Sequence, residues 1–149
     1  MANEITIQAA LSLARDVVVL QSTATKQNNQ TGAKSIQQQV SVPWANAATN
    51  ATKLFDPAVM QLASLGYVFV KNMAQVGGGT GGLDQYVDLS LIQQIDLSPY
   101  GESFAILKPQ EFILLAVNKA TAPTLYARTR SPSDTDVGPA LVLLCAAEI

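Results

Sequence analysis

The sequence predicts an all-β domain, an antiparallel sandwich or barrel of roughly eight to ten short strands. Three observations carry this prediction. Apolar and polar residues alternate in short runs of the period a half-buried strand requires. Clusters of Gly, Pro, Asn and Ser separate those runs at near-regular intervals. The 149 residues suit a single domain, and 48% of them are hydrophobic, enough to build its core.

Ile5 and Ile7 alternate with Glu4, Thr6 and Gln8, and Leu11 and Leu13 continue the pattern, so a first strand is expected here; a helix over residues 5–15 competes, because Ala9, Ala10, Leu11 and Leu13 also suit one. The β-branched run 17–20 reads as a second strand. Residues 23–34 hold no apolar side chain larger than alanine and are rich in Thr, Asn and Gln, which predicts an exposed loop. Ile36, Val40 and Val42 share one parity, with Gln38 in phase, and Pro43 ends that strand. The Asn, Ala and Thr of residues 44–53 give a weak helix signal, and Leu54-Phe55-Asp56-Pro57 reads as a turn.

Strand signals then follow closely. Residues 67–72 are aromatic and β-branched, the glycines of 77–82 break the chain, and Tyr86-Val87-Asp88-Leu89-Ser90-Leu91 alternates. Ile95-Asp96-Leu97 alternates again before a turn at Ser98-Pro99-Tyr100-Gly101. Residues 104–107 form a strand, Lys108-Pro109-Gln110-Glu111 a turn, and the apolar run 112–117 reads as a strand buried on both faces. In residues 124–130, Tyr126, Arg128 and Arg130 share one parity. Residues 131–139 form a loop, and 140–147 the last strand.

The same residues exclude several chemistries. The chain has no histidine, which removes the commonest general base and zinc ligand. Gly77, Gly79 and Gly82 satisfy G-x-G-x-x-G, but strand period follows where a phosphate site needs a helix N-terminus, and no P-loop Lys-Ser or Lys-Thr is present. A flexible hairpin connection is expected there, its glycines able to deform against a neighbour. Asp84, Asp88, Asp96, Glu102, Glu111, Asp134 and Asp136 read as turn and surface acids. Asp134-Thr135-Asp136-Val137-Gly138 lacks the third oxygen position and closing Glu of a calcium loop. No metal or other cofactor, and no enzymatic activity, is expected. Cys145 lies in an apolar stretch and reads as a buried thiol. The Tyr126, Arg128 and Arg130 stripe reads either as a partner contact or as a solvated strand face.

Charged residues make up 13% of the chain, about half the usual share, and the formal net charge is −2. The hydrophobic content excludes disorder. The longest apolar runs, 112–117 and 140–147, are too short for a helical membrane span. Basic residues are scattered, so nucleic acid is not an expected partner. Met1-Ala2-Asn3-Glu4 carries an acid where a secretory leader is basic, which predicts folding in a cytosol.

From Gly66 onward the order of elements is similar to that of a known group. Gly66-Tyr67-Val68-Phe69-Val70-Lys71-Asn72, Tyr86-Val87-Asp88-Leu89-Ser90, residues 104–115 around Lys108-Pro109-Gln110-Glu111, and Leu125-Tyr126-Ala127-Arg128 resemble the C-terminal half of small tailed-bacteriophage virion proteins. The likeness covers residues 58–149. The chain departs from it at Gln110, where the group carries glycine, and in the insertion 77–82. The resemblance implies a jelly-roll-like sandwich in a virion, assembled in the host cytoplasm. The expected role is a capsid decoration (cement) protein that forms homo-oligomers, trimers by preference, and clamps the major capsid protein. Other expectations are a neck, tail or fibre part, or a receptor- or glycan-binding module using Trp44, Tyr100 or Tyr126. Low charge agrees with a surface that assembly covers, since desolvating charge is costly. Expected contact residues are Ala2, Asn3, Glu4 and Ile5 of an N-terminal arm, Asn28, Asn29, Gln30 and Lys34 of the loop, Gly78 and Gly79, and Tyr126, Arg128 and Arg130. Residues 58–149 form the core sandwich, and residues 1–57 add strands or an arm to it.

Overall fold

A computed structural model describes residues 4–15, 18–29, 35–45, 51–56, 65–91, 103–116 and 124–148. In chain order the strands are β1 (Glu4–Arg15), β2 (Val18–Asn29), β3 (Ser35–Val42), β4 (Thr52–Phe55), β5 (Leu65–Asn72), β6 (Tyr86–Ser90), β7 (Ser103–Leu107), β8 (Phe112–Ala116), β9 (Leu125–Arg130) and β10 (Ala140–Glu148). A single 3-10 turn, Thr80–Gly82, lies between β5 and β6.

The sandwich is a jelly roll. Its eight strands pair like a long hairpin folded at its middle: β3 with β10, β4 with β9, β5 with β8 and β6 with β7, all antiparallel. Rolling that ribbon adds the pairs β10–β5 and β6–β9. Two four-stranded sheets result, ordered β3-β10-β5-β8 and β4-β9-β6-β7. The hairpin of β1 and β2 stands apart as a two-stranded sheet with register running from Glu4↔Asn29 to Arg15↔Val18.

Alternation decides what each strand buries. Val68 and Val70 of β5 and Val142, Leu144 and Ala146 of β10 point inward from the first sheet; Leu54, Val87, Leu89, Leu107, Leu125 and Ala127 meet them from the second. Burying each large aliphatic chain contributes about 1.5–3 kcal/mol. Thr129 fastens one corner: its Oγ1 donates to Val42 O at 2.6 Å and accepts from Ala140 N at 3.2 Å, and its N–H donates to Pro43 O at 3.0 Å.

The strand expected at residues 5–15 is present as β1, and the competing helix is not formed. Four expectations are corrected. Residues 23–29 are not loop but the second half of β2, whose backbone is paired with β1 without needing large apolar side chains. Residues 54 and 55 belong to β4, where a register shift between Lys53 and Phe55 breaks the alternation and leaves both Leu54 and Phe55 buried. The 77–82 segment is no hairpin connection, because β5 and β6 lie in different sheets. The run 112–117 is not buried on both faces: β8 is an edge strand with Phe112 64% exposed. Residues 95–101 and 46–50 lie outside the described residues.

Candidate interaction surface

The outer face of the β3-β10-β5-β8 sheet is built by the positions that alternate with the core. Register sets them in rows across the sheet: Gln39, Leu143, Lys71 and Phe112; Gln37, Cys145, Phe69 and Leu114; Ser35, Ala147, Tyr67 and Ala116. Leu141 extends the patch opposite Ser41. Over β10, β5 and β8 this surface is almost wholly apolar, with Lys71 its one charge among these positions. Leu141 and Leu114 are 42% and 39% exposed. Phe69 and Phe112 are in ring contact, their centroids 5.5 Å apart. Between them and β3 lies a shallow cavity of about 250 Å³ bordered by Ile36, Gln37, Tyr67, Phe69, Leu114 and Cys145. A contiguous apolar patch of this kind marks a contact site more often than a free surface.

Cys145 is half-buried in that patch rather than enclosed in the core. Burial raises its thiol pKa above the ordinary value, so it stays protonated and weakly nucleophilic near neutral pH.

On the opposite outer face the chain itself covers the β9–β6 part, while Phe104 and Ile106 of β7, the latter directly opposite Asp88, are 44% and 40% exposed. Asp88 of β6 takes hydrogen bonds from Arg128 Nε at 3.1 Å and from Arg130 Nε at 2.8 and 3.0 Å. Arg128 also donates to Ala45 O at 3.2 Å, and Arg130 to Ser131 O at 3.0 Å. Asp134 Oδ1 lies 3.4 Å from Arg128, an ion pair without hydrogen-bond geometry. The Arg130 guanidinium sits 5.8 Å from the centre of the Tyr86 ring. Asp88 is thus an interior ion partner, not a surface acid, and Arg128 and Arg130 are buried rather than open to a partner or to water. Tyr126 is half-buried on the same strand. The shared parity of the three is as expected; segments 44–45 and 131–136, which carry no periodic signal, supply the cover.

The glycine segment is tied down by its own backbone. Gly78 N donates to Gln75 O, Gly79 N to Leu83 O, Thr80 N to Val137 O, and Gly77 N to the Asp84 carboxylate. A side chain at Gly79 would come within 2.7 Å of Leu83 O, so glycine is required there by close approach. Gly78 is exposed and Gly79 less so. Trp44 is half-buried with its indole Nε1 out of solvent. Of the arm and loop residues, Glu4 and Ile5 open β1, and Asn28 and Asn29 close β2 opposite them, which the register brings together. Ala2, Asn3, Gln30, Lys34 and Tyr100 lie outside the described residues.

Sequence reading missed the outer-face cluster itself. Its signal was present in the alternate positions Tyr67 and Phe69, Phe112 and Leu114, Leu141 and Leu143, apolar at both parities of their strands. Among the described residues, no group of three or more His, Cys, Asp or Glu side chains is placed to hold a metal ion. Among the same residues, no helix is long and apolar enough to cross a membrane. No protein-family model, curated protein or solved structure matches the chain.

Proposed function

We propose that this chain is a structural virion protein of a tailed bacteriophage, a capsid decoration protein that oligomerises and clamps neighbouring major capsid subunits. The observation that carries the reading is the outer sheet face of Phe69, Phe112, Leu114, Leu141 and Leu143, apolar and nearly uncharged, on a domain with low overall charge. The jelly-roll order, the separate β1–β2 hairpin and the resemblance over residues 58–149 support it. The mechanism is mass action: a part that binds only the assembled lattice, through several contacts at once, stabilises that lattice against internal pressure. The contact residues in this reading are Glu4 and Ile5 with Asn29 and Asn28 opposite them, together with Ala2, Asn3, Gln30 and Lys34.

Copy number tests this. The protein is added to heads lacking it, and bound copies per particle are counted by quantitative mass spectrometry and located by electron microscopy. Several hundred copies spread over the shell are expected. A ring of six to twelve at one vertex would overturn decoration in favour of a neck or tail part, and no binding to heads, with binding to host cells instead, would favour a receptor module.

A further inference from the structure

The outer face of the β3-β10-β5-β8 sheet holds a protrusion and a hollow. The protrusion is Phe112 on the edge strand β8, 64% exposed and the most exposed aromatic side chain among the described residues. The hollow is the cavity of about 250 Å³ beside Cys145, bordered by Gln37, Tyr67, Phe69 and Leu114 of the same face. A cavity of about 150 Å³ holds a benzene ring, so this one has room for a phenyl side chain. Phe112 and Cys145 stand on strands separated by β5 and in neighbouring rows, which sets their Cα atoms roughly 12 Å apart. Phe69 lies between them in ring contact with Phe112, so Phe112 does not fill the hollow of its own chain. Leu114 and Leu141 also stand open on this face.

We propose that two copies pack this face against each other about a two-fold axis, so that Phe112 of each enters the hollow of the other. This goes beyond decoration, because it holds whether or not the protein joins a capsid. An axis lying in the contact plane, midway between protrusion and hollow, exchanges the two, which is the condition for a closed, isologous pair. The area suffices. Four strands about 4.8 Å apart make a face about 19 Å wide, and residues 141–147 span about 24 Å along it, about 450 Å² in flat projection. Side-chain relief adds to this, since Phe112 alone exposes about 130 Å². Two such faces together remove about 1,000 Å² or more from water, the size at which specific interfaces begin.

A second copy fits this face better than a chain of other chemistry. The face is apolar across three strands with Lys71 its one charge among these positions, so it has no charge pattern to steer a charged partner. The surface that matches it in size, flatness and polarity is its own. A net charge of −2 sets copies little apart. Polar side chains lie at the margin: the exposed Ser35, Gln37, Gln39 and Ser41 of β3 form a rim, and the long stem of Lys71 carries its ammonium to the Gln amides of the facing β3.

Sedimentation of the full-length protein at micromolar concentration is expected to give a dimer. Leu114→Glu and Phe112→Ser are each expected to weaken it about a hundredfold or more, because the two-fold axis applies every change twice. Both variants should stay folded by circular dichroism, since both positions are exposed. Ile106→Glu, on the opposite outer face at a position exposed to a similar degree, is expected to leave the dimer unchanged. Phe112 replaced by the photocrosslinker benzoylphenylalanine should join isotope-labelled to unlabelled copies, with the bond mapped by mass spectrometry to the peptides of Tyr67, Phe69 or Cys145. That crosslink carries the test even where a variant fails to fold. A wild-type monomer or trimer overturns the proposal. So does a dimer that survives Leu114→Glu and Phe112→Ser, or a crosslink confined within one chain. Failure to bind phage heads would count against decoration while leaving these results in place.

Discussion

Asn72 ends β5 at the corner where the two sheets meet, and replacing it tests how the corner is held. Its side chain is fully buried. Nδ2 donates to Gln85 O at 2.7 Å and to Leu107 O at 3.0 Å, both on the second sheet's side, while Oδ1 accepts from Ala74 N at 3.0 Å. Asn72→Ala strands two carbonyls and one N–H where water is excluded. Each buried group left unsatisfied costs about 1–3 kcal/mol, so three groups cost at most about 9; with partial relaxation toward the lower half of that range, the loss is about 3–6 kcal/mol. A domain of this size has about 5–15 kcal/mol in total, so the variant is expected to fold but weakly.

The single tryptophan, Trp44, gives a fluorescence signal for urea unfolding. With a slope of about 2 kcal/mol per molar urea, the midpoint should fall by about 1.5–3 M. Lys71→Ala, one residue earlier on the outer face, should move it by less than about 0.5 M, because it breaks no buried hydrogen bond that fastens the corner. A shift for Asn72→Ala as small as the control's would refute the argument, since it would mean that the three partners find other hydrogen bonds or water.

Other predictions concern separate features. Asp88→Ala leaves two buried guanidinium groups without their shared carboxylate and should cost about 3–5 kcal/mol by chemical denaturation, with little change between low and high salt because the cluster is shielded from solvent. Gln110 holds φ at 68° while its Nε2 donates to Met73 O and Ala74 O; Gln110→Ala loses the bonds and keeps the strain, whereas Gln110→Gly loses the bonds and relieves it, so thermal melting should rank Ala below Gly by about 1 kcal/mol. Gly79→Ala should destabilise by about 1–3 kcal/mol through its clash with Leu83 O, measured in the same melts. Alkylation of Cys145 should accelerate with pH and still be rising where an ordinary thiol levels off, because burial raises its pKa and leaves less thiolate at any given pH; a rate that plateaus earlier than a free thiol's would contradict this.

Strands whose two faces see different surroundings were legible in the sequence: β3, β6 and β9 announce themselves by alternation. β4 was not, because the bulge at Lys53 puts Leu54 and Phe55 on the buried side together and erases the period. The polar half of β2 was missed for the opposite reason: a strand paired to one neighbour needs hydrogen bonds but no large apolar side chain. At β8, period and composition pointed to burial on both faces, yet the strand lies at a sheet edge, and a run of apolar residues does not distinguish core from uncovered surface. The Lys108-Pro109-Gln110-Glu111 turn was read correctly, including the position where glycine is the usual choice. The structure adds how glutamine serves there: its side chain gains two backbone acceptors that glycine would lack.

The low charge acquires a structural meaning once its distribution is known. Asp88, Arg128, Arg130 and Asp134 are drawn into one internal cluster, where opposite signs nearly cancel. Burying an ion pair stabilises little over an apolar replacement, so the cluster is better understood as fixing geometry: it holds the 131–136 segment and residue 45 over the β9–β6 part of that face. Among the described residues the other outer face has no such cover, and Lys71 is its one charge beside the exposed Gln37 and Gln39 of β3. A net charge of −2 gives copies little mutual repulsion at close approach. Internal ions cover the β9–β6 part of one face, and Phe104 and Ile106 of β7 stay open at its edge. The other face is apolar across three strands, so the sandwich offers its broader contact surface on the β3-β10-β5-β8 side.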